Sequence, residues 1–216
     1  MELFILLAAL GIACGMGAWA LLGTRPRAEK ILRDTPRTSV GNAREGQLVK
    51  LVGVVQKPAD EAESPLTRVR CAAYETLVVP VSGSQYPVVL ESKGIDFQLE
   101  DETGRALIQL DRFRGLFQDE HEGQVNAWQP ASEELIALLA RHGAKDPKLV
   151  GESLSYREGV LRALDRVAVV GIARWEQDLD SCDTGFGYRD RPMRLRVTAP
   201  KSEPLLLSTE HGALKS

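Results

Sequence analysis

Residues 97–110 read FQLEDETGRALIQL, and this stretch decides the fold class. Phe97, Gln98, Leu99 and Glu100 alternate apolar with polar, the period of a half-buried strand. Asp101-Glu102-Thr103-Gly104 supplies turn chemistry, and the chain runs back from Ala106 to Leu110. Two runs joined by a Gly-containing turn predict an antiparallel hairpin.

Working outward, the same grammar recurs. Residues 48–56 (LVKLVGVVQ) form a dense Leu and Val run ended by Lys57-Pro58, and the acidic, Pro-bounded 58–65 (PADEAESP) reads as a loop. Residues 68–81 are β-rich around Cys71, Tyr74, Val78 and Val79, and Tyr86 to Glu91 continues the strand after a Ser-Gly-Ser turn. Val167 to Ala173 is continuously apolar, as a strand covered on both faces would be. Met193, Leu195 and Val197 alternate with Arg194, Arg196 and Thr198, and Leu205-Leu206-Leu207 makes a last short strand. Many short strands predict a mainly β, α+β domain, a small barrel or sandwich.

One helix interrupts them. Ser132 is placed to cap it, and Glu133 and Glu134 suit its positive end. Leu135, Leu138, Leu139 and His142 share a face, and Gly143 stands where a helix-ending glycine belongs. His142 is expected to cap or pack rather than to ligate. Before the helix, Phe113, Leu116, Phe117 and Trp128 make 113–130 more apolar than a plain loop. They are expected to fold under as a satellite core, the alternative being a groove or lipid contact.

The N-terminus carries a different signal. No charged side chain occurs between Leu3 and Leu22, and twenty residues at helical rise span ~30 Å, the hydrocarbon thickness of a bilayer. Ala18-Trp19-Ala20 only loosely resembles a signal cleavage site. Glu2 is the sole charge ahead of the run, and a lipid on Cys14 lacks the expected context. Residues 1–23 are therefore expected to be a membrane anchor, followed by a basic juxtamembrane linker at 24–46, a domain at 47–208 and a polar tail at 209–216. Arg25, Arg27, Lys30, Arg33, Arg37 and Arg44 follow the run, which predicts an outside N-terminus and a cytoplasmic domain. Gly11 and Gly15 form a G-x-x-x-G, a candidate helix–helix contact for a homodimer, although glycine is common in such helices anyway.

The chain's net charge of −3 and pI near 5.7 leave no basic footprint for nucleic acid. Cys14, Cys71 and Cys182 contain no C-x-x-C, so neither a zinc ribbon nor a thioredoxin-like site is expected. No G-x-S-x-G accompanies His121, His142 or His211. Asp178, Asp180 and Asp183 precede Gly185, but counting from Asp178 places Cys182 and Arg189 where a calcium loop needs acids. No cofactor, metal or catalytic residue is therefore assigned. Phe186 and Tyr188, set among glycines in GFGY, form a candidate binding tip.

Taken in order, several of these segments resemble the GIDE, or "beside a membrane", domain of the mitochondrial membrane-anchored E3 ubiquitin ligases and their prokaryotic relatives. The resemblance runs through residues 48–56, Ser64-Pro65-Leu66, Cys71, Tyr74 and Phe97-Gln98-Leu99 with Asp101 and Thr103-Gly104. It continues through Glu158, Leu161, Asp165, the strand Val167-Ala168-Val169-Val170-Gly171, Leu195, Pro200, Pro204 and Leu205 to Ser208. It covers about residues 45 to 208 and is that of a RING-less member.

The ligases add a RING that binds two zincs through eight Cys or His, whereas this sequence holds three of each. Their domain also lies between two spans on the non-cytosolic side, unlike the orientation predicted here. The resemblance thus implies a membrane-adjacent binding or scaffolding module, with the lipid bilayer and a protein as partners. The alternative is the membrane subunit of a ligase-like or protease system whose catalytic part sits on another chain.

Overall fold

The computed structural model describes residues 24–82, 86–145, 147, 151–178 and 193–215. Among them no helix is long and apolar enough to cross a membrane; residues 3–22 lie outside the described set.

The predicted hairpin is present as β6 (Phe97–Asp101) and β7 (Gly104–Ile108). Around it a barrel closes. Strand β1 (Leu48–Val55) pairs antiparallel with β11 (Arg166–Gln177) over most of its length, then crosses to β6 at Val54 and Val55. Gly53 stands at the crossing, where any Cβ would run into the Glu100 carbonyl oxygen. Strand β7 lies parallel to β12 (Met193–Thr198), and β12 returns antiparallel to β11. Numbered among themselves, the five strands run 1-2-3-5-4 and back to 1, the connectivity of a small Greek-key barrel of the OB type. Its interior holds Val49, Leu51, Phe97, Leu99, Ile108, Leu195 and Val197, all buried.

Two excursions from the barrel build most of the remaining strands. Between β1 and β6 the chain forms β2 (Ala62–Glu63), β3 (Arg70–Cys71), β4 (Ala73–Pro80) and β5 (Val89–Gly94). Between β7 and β11 it forms β8 (Phe113–Leu116), β9 (Asp119–Val125), the helix α2 (Glu133–Arg141) and β10 (Leu154–Leu161). Four of these strands meet in a second sheet, β5-β4-β10-β9, while β2 pairs with β3 alone. Ser132 Oγ accepts the Leu135 amide at 3.2 Å, and Gly143 takes φ +69°, so both ends of α2 form as predicted. Leu135, Leu138 and Leu139 pack onto Val78, Val89, Val125 and Leu154 of the sheet.

Residues 24–46, expected as a polar linker with room for a short helix between Ala28 and Asp34, are packed against the barrel. Helix α1 spans Thr24–Asp34, with Pro26 in its first turn, where a missing amide costs nothing. Val40, in a one-turn 3-10 helix (Val40–Asn42), joins the barrel core. The tail likewise forms a short helix, α3 (His211–Lys215), and Ala213 is buried beside α1. In 113–130, Leu116 and Phe117 are buried as expected. Trp128 is not: it is 78% exposed.

Candidate membrane-proximal surface

Alternation along β1 sends Val49 and Leu51 inward and Lys50 and Val52 outward, yet all four are buried. The outer pair is covered by α1. Ala28 and Leu32 of α1 enter a second apolar cluster with Val52, Leu116, Ala168, Val170, Leu206 and Ala213. This explains why residues 167–173 are apolar on both faces: Val167 and Val169 line the barrel, and Ala168 and Val170 receive the helix.

Lys50, wholly buried, donates from Nζ to the Leu32 carbonyl at 2.7 Å. That oxygen belongs to the last turn of α1, where carbonyls lack helical partners and the dipole is negative. Burial pulls the Lys50 ammonium below the usual lysine range. At its other end, Arg25 meets Glu29 and Glu210, each at 3.2 Å, and Arg27 pairs with Glu203. The basic flank is therefore partly neutralised by the domain itself.

The N-terminal end of α1 sits beside the second sheet. Arg25 lines a small recess with Glu75, Leu77, Gly115, Phe117 and Arg157. From there an open groove of about 620 Å3 extends over the sheet face opposite α2, across Leu77, Val79, Ser155, Arg157, Glu122 and Gln124. Cross-strand register places Leu90 beside Leu77, and Arg157 between Leu77 and Glu122.

The acidic side chains picked out by the family resemblance turn out to organise backbone. Glu158 is fully buried. Its Oε2 accepts the Leu66 amide (2.9 Å) and the Thr76 hydroxyl (3.0 Å), and its Oε1 accepts the Thr67 amide (2.9 Å) and hydroxyl (2.6 Å). The Ser64-Pro65-Leu66-Thr67 loop is thus fastened to the sheet. Asp101 accepts the amides of Val40, Thr103 and Gly104 and the Thr103 hydroxyl. Burial would raise its pKa, but these bonds outweigh it and hold the carboxyl below the usual aspartate range. Asp165 accepts the Arg162 amide at 2.7 Å and shapes the turn before β11.

One cluster gathers groups of catalytic type. Glu91 on β5 accepts from the Tyr74 hydroxyl (2.5 Å) and Arg141 (3.0 Å), and His142 Nε2 lies 2.7 Å from its second oxygen. Burial would raise Glu91, but the bonds from Tyr74 and His142 and the charge of Arg141 outweigh it, so its carboxyl stays ionised further into acid than an ordinary glutamate. Burial, then the bond to Glu91, pushes the Tyr74 hydroxyl above the usual tyrosine range. Tyr74 is 3% exposed and the neighbouring Cys71, whose Sγ donates to the Ala62 carbonyl at 3.6 Å, is fully buried. Glu91 thus ties the end of α2 to the sheet, with the buried Tyr74 bonded to it. His142 is the C-cap of α2, as expected from its place at the helix end.

The site residues chosen from sequence (Leu3, Gly11, Gly15, Leu22, Phe186 and Tyr188) all lie outside the described residues, as do Asp180 and Asp183. Asp178 pairs with Arg194 at 3.4 Å. Among the described residues no group of three His, Cys, Asp or Glu is arranged to hold a metal ion. Sequence reading missed Lys50, because a lysine in LVKLV looks like an outward strand residue, and missed the open face of the second sheet, because β9 (DEHEGQV) carries almost no apolar signal. No protein-family model, no curated protein and no solved structure matches the chain.

Proposed function

We propose that this protein is a membrane-anchored, GIDE-like binding and scaffolding module, working beside a bilayer through a protein partner. One observation carries the reading. Helix α1 (Thr24–Asp34), which follows the apolar run in sequence, is fixed to the barrel by Ala28, Leu32 and the buried Lys50. A flexible tether would let the domain wander. A docked helix instead gives the apolar run one fixed point of attachment on the domain. The basic flank supports a cytoplasmic side for the domain.

The resemblance to the membrane-anchored ligases supports the same role, and the barrel alone does not, because one fold hosts many functions. If the chain is a module, the full protein purified into vesicles binds a peptide or a partner domain by itself. Recovery of a RING or protease subunit in fixed stoichiometry, with no binding by the isolated chain, would favour the subunit reading instead.

A further inference from the structure

Resting on that reading, we propose that the open face of the second sheet lies against the bilayer interface, with the turn carrying Trp128 at headgroup depth. The anchor run ends at Leu22 and Arg25 lines the recess at the Leu77 end of the groove. Three Cα-to-Cα steps separate the two, ~5 Å as helix and at most ~11 Å extended. That end of the face therefore begins beside the membrane surface.

From Leu77 the apolar row continues along β4 to Val79. At the far end of the same sheet are Val81 (46% exposed), Tyr86 (43%) and Trp128 (78%). Hydrogen bonds bring their segments to one end of the sheet: the Val81 amide donates to the Ser153 carbonyl, the Ala127 amide to Ser153 Oγ, and the Val88 amide, two residues after Tyr86, to the Val78 carbonyl. A Trp and a Tyr at the end of an apolar strip, with Arg157, Glu122 and Gln124 on the adjoining strands β10 and β9, match the amphipathic character of the interfacial zone. The attraction is apolar rather than ionic. Arg25 and Arg27 are engaged by Glu29, Glu210 and Glu203, and Glu122 disfavours anionic headgroups. Zwitterionic lipid therefore suffices.

The test reconstitutes the full chain in phosphatidylcholine vesicles, with and without shallow acyl-chain bromines that quench tryptophan on contact. Comparison with Trp128→Phe isolates the Trp128 emission; at 78% exposure this change leaves the fold intact. A second variant, Leu164→Trp, reports from a 75% exposed turn at the opposite end of β10, ~25 Å from Leu154. The expected result is a blue-shifted Trp128 contribution that brominated lipid quenches, with the residue at position 164 unquenched. Equal Trp128 brightness in both lipids overturns the proposal. So does a blue shift that grows with protein concentration in lipid-free micelles, which would indicate a second copy on this face. Trp19, compared through Trp19→Phe, keeps the two levels apart: quenched Trp19 with unquenched Trp128 overturns only this inference, whereas unquenched Trp19 overturns the anchor as well.

Discussion

Replacing Glu158 with glutamine changes one oxygen to an amide nitrogen and tests whether this buried carboxylate fastens the 64–69 loop. Each carboxylate oxygen accepts one backbone amide and one threonine hydroxyl. A hydroxyl can rotate and accept from the new NH2; a backbone N–H cannot. Whichever way the glutamine amide turns, the Leu66 or the Thr67 amide is left without an acceptor, at about 1–3 kcal/mol for a buried orphan. The bonds to the remaining oxygen also lose charge assistance, about 1 kcal/mol each. Relief of carboxylate desolvation offsets part of this, so the net loss is about 2–4 kcal/mol, a large share of a typical domain's stability. Urea unfolding of the full chain, followed by circular dichroism, measures it. Hydrogen exchange at Leu66 and Thr67 should accelerate in parallel. Thr76→Val, which deletes one hydroxyl donor and leaves three donors to Glu158, is expected to cost about 1 kcal/mol. A Glu158→Gln loss below about 1 kcal/mol, with unchanged exchange, would refute the argument.

Further outcomes follow from other contacts. Lys50→Met keeps the buried stem but removes the donor to Leu32 O; it is expected to cost about 1–3 kcal/mol and to expose residues 24–35 to protease before the barrel unfolds. Glu91 is more acidic folded than unfolded, so its contribution is complete above the ordinary glutamate value of 4.5 and is lost as pH falls through its lower folded pKa. Thermal melts should show Glu91→Gln less stable than wild type at pH 7, the gap narrowing below pH about 4.5. Gly53→Val drives a side chain into the Glu100 carbonyl at the crossing of β1 from β11 to β6. Loss of soluble, dispersed NMR signals is expected there, whereas Gly212→Ala, with open space around its Cβ, should leave the spectrum intact.

The legible parts of the fold are those where a local rule and tertiary burial agree. Residues 97–110 announced a hairpin because alternation and turn chemistry coincide, and Ser132 and Gly143 marked the helix because both end rules act within one turn. Closure of five strands was not legible: it depends on the parallel β7–β12 pairing of residues far apart in the chain, Ala106 with Leu195, which no local pattern encodes. Strand β9 was missed because an edge strand rich in Asp and Glu lacks the apolar face on which strand recognition rests. The docking of α1 hid behind its polar composition, as only Ala28, Ile31 and Leu32 mark the buried stripe. Trp128 broke the expectation that aromatics under long loops fold inward; its turn projects from the end of the second sheet instead. The sequence-chosen contact residues fall outside the described part, while the carboxylates that carried the family resemblance proved to hold turns and loops.

Residues 3–22 are proposed to embed in the membrane, and alkaline carbonate extraction separates an embedded chain from a peripherally bound one. The full chain is expected to stay in the washed membrane pellet, while a chain beginning at Thr24 is released to the supernatant. Release of the full chain alongside the shortened one would show that residues 3–22 do not hold it in the bilayer.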